Sequence, residues 1–315
     1  MPRYSEDEII ARVFAPIAGA GALGLKDDAA LLDPVKEPLV VTTDMVVAGV
    51  HFFADDPPAL IAKKALRVNL SDLAGKGAEP VGFLLSLALP ADWTNDWLQA
   101  FAAGLAEDAQ AFRAPLLGGD TSATPGPLTI SITALGRAAR FVPRDGARAG
   151  DAIFVSGPIG DAAVGLALRR DGALAARLSA EARDALMRRY LLPVPRLDLA
   201  PWLRAEASAA MDISDGLAGD LAKFARASGV SAVVDLTSVP LSEAAREAIA
   251  ADAALSEIAI TGGDDYEILF TAALAAIPPA GAVRIGEIVA GDGPPLFLDA
   301  RKKPVNFKKM SFSHF

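Results

Sequence analysis

Short apolar runs that close on an aspartate recur along the whole of this 315-residue chain. Asp44 ends Leu-Val-Val-Thr-Thr-Asp, Asp72 ends Asn-Leu-Ser-Asp, and Asp120 ends Leu-Leu-Gly-Gly-Asp. Asp27 and Asp28 sit in Leu-Lys-Asp-Asp-Ala, and Asp212 and Asp215 bracket Asp-Ile-Ser-Asp-Gly. Asp264 and Asp265 follow Gly262 and Gly263. Carboxylates placed where strands give way to loops can converge on a cleft. Several in one cleft repel one another unless cations sit between them. Oxygen donors without thiolates suit Mg²⁺ better than zinc or copper. A multi-magnesium site is therefore expected, and the usual use of one is to hold a polyphosphate.

The length suits about two domains. Hydrophobic residues make up 52% of the chain, which provides for large cores and argues against disorder. The absence of cysteine removes disulfides, thiolate metal sites and cysteine nucleophiles together, and fits a reducing cytosol. No apolar run is long enough to span a membrane, and the acidic start Ser5-Glu-Asp-Glu8 does not resemble a signal peptide. A cytoplasmic location is the expectation. The net charge is −9, and no basic stripe suggests nucleic acid. The lysine pairs beginning at Lys63, Lys302 and Lys308 read as solvated surface charge. An acidic protein that holds an anionic nucleotide needs positive intermediaries, which metal ions and a few Arg or Lys side chains would supply.

Ser5 and Glu8 have capping-box spacing ahead of a helical period through Ile9, Val13 and Ile17. Helical patterns follow over 58–73 and 93–112, and strand patterns over 39–43, 83–89 and 128–135. Residues 140–151 are polar, basic and turn-rich, and make the best boundary. Beyond it, strands are expected over 152–156, 209–213, 232–236, 267–271 and 283–288. Helices are expected over 161–170, 180–191 and 217–227. Strands and helices are mixed without strict alternation. The expectation is an α+β chain of two domains, 1–139 and 140–315.

Gly19-x-Gly21-x-x-Gly24 matches a dinucleotide fingerprint, with Asp44 at a suitable distance. A helix rather than a strand precedes it, so a glycine loop is the better reading. No Walker-type P-loop or protein-kinase signature is present. Thr42-Thr43-Asp44 offers oxygen ligands at a strand end, although Thr and Asp are also ordinary turn residues. Asn69 and Asp72 are spaced to share one helix face. Gly118-Gly119-Asp120-Thr121 and Gly262-Gly263-Asp264-Asp265 look alike. Paired glycines either make a turn or let backbone N–H groups approach a phosphate. Asp215 or Ser214 is a candidate N-cap, and period-two spacing puts Asp212 and Ser214 on one side of a strand. His51 reads as a packing or hydrogen-bonding residue. Arg144 is either a solvated loop charge or a phosphate contact.

Taken together these motifs resemble the thiamine-monophosphate kinases, in the superfamily of aminoimidazole-ribonucleotide synthetase and selenophosphate synthetase. The resemblance runs from Lys26-Asp-Asp-Ala-Ala-Leu-Leu through Thr-Thr-Asp-Met-Val-Val-Ala-Gly-Val-His-Phe and Lys64-Ala-Leu-Arg-Val-Asn-Leu-Ser-Asp-Leu-Ala. It continues through Leu-Leu-Gly-Gly-Asp-Thr, Met211-Asp-Ile-Ser-Asp-Gly-Leu and Gly-Gly-Asp-Asp-Tyr-Glu. It implies an aminoimidazole-ribonucleotide synthetase-like fold, each domain a mixed sheet covered by helices, and a homodimer built through the N-terminal domains. It implies transfer of phosphate from ATP to thiamine monophosphate, assisted by several Mg²⁺ ions. By similarity Asp28, Thr42, Thr43, Asp44, Asp72, Asp120, Asp212 and Asp215 are metal ligands. Gly119, Asp120, Arg144 and Ser214 contact ATP, and His51 and Asp264 contact the substrate, with Phe312 of the tail the candidate for an aromatic stack on it.

The chain departs from many members at Lys26, where glycine is common, and at Asp264, where glutamate is common. Its tail carries Lys308, Lys309 and Phe312 in a stretch where Trp or Tyr often stands. The acceptor is a phosphate monoester, already an oxygen nucleophile near neutral pH, so direct transfer without a general base or a phosphoenzyme is expected. The alternatives are another ATP-dependent synthetase of the superfamily and a non-catalytic nucleotide- and metal-binding regulator. A synthetase that works through cysteine has no cysteine to use here.

Overall fold

The computed structural model describes residues 3–27, 29–34 and 36–312. Two compact units emerge. Ala78–Ala139 joins the chain up to Leu73, and Ala74–Gly77 joins the chain from Arg140 onward.

The first unit opens with α1, Glu6–Ile9, and its capping box is formed: Ser5 and Glu8 each accept the other's backbone N–H. The helix widens through a π turn at Ile10–Phe14 and tightens at Ala15–Ile17, where Pro16 stands at the start of the final turn. The strands are β1 (Leu39–Val47), β2 (Glu79–Leu89), β3 (Leu116–Ala123) and β4 (Thr129–Arg137). They form one sheet in the order β1-β4-β2-β3. The β1·β4 and β4·β2 pairs are antiparallel and β2·β3 is parallel. On β2 and β4 the alternation is plain. Phe83, Leu85, Leu87, Ile130, Ile132 and Ala134 are buried, and Leu84, Ser86, Ser131 and Thr133 face the other way. The helices α2 (Pro58–Gly75) and α3 (Asn95–Ala111) serve the buried face. Leu73 of α2 reaches the backbone of Gly136 on β4. The helices pack so closely that a Cβ on Gly104 would stand 2.3 Å from the Ala59 carbonyl oxygen. A bidentate Arg67–Asp108 pair joins them, at 2.6 and 2.9 Å.

The second unit holds β5 (Asp151–Val155), β6 (Ala207–Asp212), β7 (Ser231–Asp235), β8 (Ile268–Ala273), β9 (Val283–Val289) and β10 (Leu296–Leu298). Their order is β10-β7-β9-β5-β8-β6, antiparallel except for β10·β7. Its helices are α4 (Asp161–Arg170), α5 (Gly172–Ala175), α6 (Ala180–Leu191), α7 (Ala200–Glu206), α8 (Leu217–Ser228), α9 (Glu243–Ala251) and α10 (Leu255–Thr261). One core joins Ile153, Val155, Met211 and Ile285 to Leu217, Leu221 and Phe224 of α8. A second, on Phe154 and Phe270, gathers Leu199 and Leu203 around α7. A third lies among α4, α6, α9 and α10.

Several sequence expectations change. β1 runs four residues beyond Thr43, because every residue from Leu39 to Val47 is paired with β4, so Asp44 lies within the strand rather than closing it. Gly118–Thr121 is not a turn but part of β3, recruited by parallel pairing with β2. The residues 20–25 form a short, kinked 3-10 stretch, where Gly19 and Gly21 press against Pro115 and the Leu31 carbonyl. Lys64 is buried, its ammonium donating to the His51 carbonyl at 3.0 Å. α5, α7, α9 and α10 and strands β3 and β10 have no counterpart among the sequence expectations. No described helix is long and apolar enough to cross a membrane.

Candidate metal and nucleotide site

In the first unit, α2 presents Asn69 and Asp72 to the edge strand β1. The Thr42 hydroxyl donates a short hydrogen bond to the Asp72 carboxylate. The Asp44 backbone N–H donates to Asn69 Oδ1 at 2.9 Å, and the Asn69 amide donates to the Ala65 carbonyl at 3.0 Å, which orients it. Asn69 is fully buried, whereas Asp44 is exposed and Thr42 and Asp72 are half-buried. The arrangement is two carboxylates and a hydroxyl on one strand–helix seam. It is an all-oxygen donor set of the kind a hard divalent cation takes.

Thr43 and Asp120 stand elsewhere. Thr43 points to the other face of the sheet, where its hydroxyl donates to the Ile132 carbonyl and accepts from Thr133, both at 3.1 Å. The register places Met45, Ser131, Ser86 and Asp120 in one row on that same face. β3 and β1 are opposite edges of the sheet, about 14 Å apart at the usual strand spacing. Within one chain Asp120 is thus separated from the Asp44–Asp72 seam by both width and face. Asp120 instead lines a groove of about 820 Å³ together with Ser86, Gly118, Gly119, Thr133 and Asp27. Gly119 has φ +157°, and a Cβ there would fall 1.8 Å from the Leu85 carbonyl oxygen, so only glycine permits this approach of β3 to β2. Asp28 lies outside the described residues.

His51 sits in the turn after β1. Its Nδ1 accepts the Val47 N–H at 3.0 Å, so the neutral ring carries its proton on Nε2.

In the second unit, Asp212 ends β6 and is nearly buried, and Ile213 beside it is fully buried in the core. Neither Ser214 nor Asp215 caps α8. The N-cap is Gly216, at φ +109°, without a side-chain bond. The cap works in reverse. The Asp220 carboxylate, in the first turn of α8, reaches back to accept the N–H groups of Ser214 and Asp215 at 3.0 and 2.8 Å. Lys223 bridges Asp220 and Asp215. Burial pushes the Asp220 carboxyl above its usual range, against the pull of Lys223 and of the Asp215 N–H. Burial opposes the Lys223 ammonium, yet its bonds to Asp215 and Asp220 raise its pKa overall. An ammonium pressed onto Asp215 marks a position that favours positive charge.

The Asp264 segment is bonded directly to this turn. Asp264 N–H donates to the Ser214 carbonyl, Tyr266 N–H to the Ile213 carbonyl and Ile213 N–H to the Glu267 carbonyl, each at 2.8 Å. The Phe312 N–H donates to the Asp215 carbonyl at 3.1 Å. Ser214, Asp215, Asp264 and Phe312 are therefore brought together. Asp264 and Tyr266 hold φ of +74° and +51°. Such left-handed conformations cost non-glycine residues about 1–3 kcal/mol each, and cluster where a loop must aim a side chain. Arg144 is exposed, and its carbonyl accepts from Ser228 at the C-terminal end of α8. Ser228 is the last residue of α8, about 16 Å along the helix from Leu217 at its start. Sequence reasoning gave no role to Asp220 or Lys223, or to Asp265 and Glu267 inside the Gly-Gly-Asp-Asp-Tyr-Glu motif. The signal for the last two was their place beside Asp264; for Asp220 it was an acidic residue in the first turn of a helix. Among the described residues no group of three or more Asp, Glu or His side chains is gathered as a ready-made metal cluster.

The AIR synthase related protein N-terminal domain model matches residues 26–138, and the C-terminal domain model of the same description matches 148–298. A thiamine-monophosphate kinase of Caulobacter vibrioides is 40% identical over 315 aligned residues, covering 94% of this chain and 88% of the relative. The chain belongs to the thiamine-monophosphate kinase family. Solved structures of that family share its fold. The thiamine-monophosphate kinase from Stenotrophomonas maltophilia K279a is 41% identical, with a TM-score of 0.79 and coverage of 87% of this chain and 89% of that one. AaThiL complexed with AMPPCP and TMP is 31% identical, with a TM-score of 0.81 and coverage of 98% and 94%. The expected aminoimidazole-ribonucleotide synthetase-like fold, with a mixed sheet in each half, is borne out.

Proposed function

We propose that this chain transfers the γ-phosphoryl group of ATP to the phosphate of thiamine monophosphate, giving thiamine diphosphate and ADP, and that it acts in the cytoplasm. One observation carries the reading. Over most of its length the chain is about 40% identical to kinases named for thiamine monophosphate, and a relative has been solved with AMPPCP and TMP. The acceptor phosphate is the nucleophile, and both reacting phosphate groups are negatively charged, so alignment and charge neutralisation are the tasks left to the protein. Bound Mg²⁺ would supply the positive charge that neutralises the phosphates. Asp28, Thr42, Thr43, Asp44, Asp72, Asp120, Asp212 and Asp215 would hold these ions. Gly119, Asp120, Arg144 and Ser214 would hold ATP. Asp264 would attract the cationic, amino-bearing end of the substrate, His51 would donate from Nε2, and Phe312 would offer a ring face.

The open face of the first unit's sheet supports a homodimer. Val41 is 61% exposed, Met45 56% and Leu84 39%, on a face that also carries Thr43 and Asp120. A second copy is the occupant proposed for it, which brings Thr43 and Asp120 to the interface. Light scattering after chromatography should give twice the chain mass, and Met45→Glu should halve it.

Phosphorus NMR of the protein with Mg-ATP and thiamine monophosphate tests the activity. Thiamine diphosphate with ADP supports it; AMP or free phosphate points to a synthetase, and unchanged spectra to a binding protein.

A further inference from the structure

Asp265 is almost completely buried beside the proposed substrate residue Asp264. Both its carboxylate oxygens accept the Gly160 N–H, at 2.9 and 2.8 Å, at the start of α4. The surrounding segment has no slack. A Cβ on Gly160 would stand 2.4 Å from that of Ala259, and one on Gly262 would stand 2.5 Å from that of Ala163. A Cβ on Gly263 would lie 2.2 Å from the Ser214 carbonyl oxygen. On the far side, Glu267 is clamped by Arg189 at 2.6 Å, by Arg196 at 2.8 Å and by the Ser156 hydroxyl. Asp264 and Tyr266, on either side of Asp265, are both left-handed. A left-handed non-glycine residue persists only where its neighbours over-determine it.

We propose that Asp265 is a positioning residue for the reaction assigned above. Its bond to Gly160 pins the segment to α4 and keeps Asp264 left-handed, and so sets affinity for the cationic end of the substrate. Glu267 anchors the other end of the same clamp. This inference rests on thiamine monophosphate being the substrate.

The test is steady-state kinetics of the full-length protein. Asp265→Ala should raise KM for thiamine monophosphate about tenfold or more, as expected when a charged contact to the substrate is misaligned, with KM for ATP within about twofold. Asp265→Asn should restore the wild-type KM, since its amide oxygen still accepts the Gly160 N–H. KM does not depend on the fraction of protein that is folded, so a purely structural role would leave it unmoved. Asp265→Ser, too short to reach Gly160, is the second variant and should shift KM as alanine does. An unmoved KM in the alanine or serine variant, or failure of asparagine to restore it, overturns the proposal. So does failure of both short variants to fold, because the carboxylate would then serve only the fold. Wild-type turnover is measured first. Its absence retracts the proposed activity, whereas normal wild-type turnover with an unmoved KM retracts this inference alone.

Discussion

Replacing Gly119 by alanine tests the link between strand packing and the site most sharply. The new Cβ would lie 1.8 Å from the Leu85 carbonyl oxygen and 2.7 Å from its carbon. Ordinary contact needs roughly 3.3 Å or more, so β3 must retreat from β2 by about 1.5 Å. Bonds near 2.9 Å would stretch past 4 Å, beyond hydrogen-bonding range. Losing about two ladder bonds costs about 2 kcal/mol, and the residual overpacking adds about 1–3 kcal/mol. The sum, about 3–5 kcal/mol, should lower the Tm of a unit this size by about 10–15 °C. Asp120 is the next residue, so turnover should fall as well. Asp120→Ala separates the two effects: this exposed carboxylate should leave Tm within about 2 °C while turnover is lost. Differential scanning calorimetry with coupled ADP release measures both. A Gly119→Ala protein with wild-type Tm would refute the steric reasoning outright.

Other expectations follow from the donor chemistry and from burial. Exhaustive chelation should abolish turnover, Mg²⁺ or Mn²⁺ should restore it, and Zn²⁺ should restore it poorly; turnover that survives chelation removes the metals from the mechanism. Asp72→Asn should keep its fold, because the amide oxygen still accepts the Thr42 hydroxyl, yet lose at least about 10–100-fold in kcat; wild-type kinetics would take Asp72 out of the site. Burial holds the Asp265 carboxyl well above the usual carboxylate range, with the Gly160 bond and Arg189 opposing and Asp161 and Glu267 adding to the rise. Between the unfolded and folded pKa values the native state keeps a proton that the unfolded chain has lost, so this group's contribution falls as pH rises. The Tm of Asp265→Asn should therefore match wild type near pH 4 and exceed it increasingly as pH rises. A constant difference from pH 4 to pH 8 would contradict this.

Much of the fold was legible where the determining contacts are local. The Ser5–Glu8 box and the long apolar periods of α2, α3 and α8 are written in adjacent residues, and α2, α3 and α8 stand within a few residues of expectation. The spacing of Asn69 and Asp72 foretold a shared face, because a helix fixes that geometry by itself. Elements without a local signature were missed. α9 is mostly alanine, which lacks the bulky apolar period that marks a face. β3 contains two glycines and reads as a turn until β2 pairs with it. Lys64 looks like surface charge until α2 turns it toward the His51 carbonyl. The candidate site divides in the same way. Oxygen chemistry, the order of the aspartates and the family were contained in the sequence by itself. Which of those oxygens meet was decided only by the tertiary structure. The Asp44–Asp72 seam and Asp120 lie on opposite faces and opposite edges of one sheet, and neither Ser214 nor Asp215 caps α8; Asp220 instead accepts their N–H groups in the turn before it. The physical reason is that local spacing sets which atoms share a side within one helix or strand, whereas sheet order, register and face follow from pairing between distant segments.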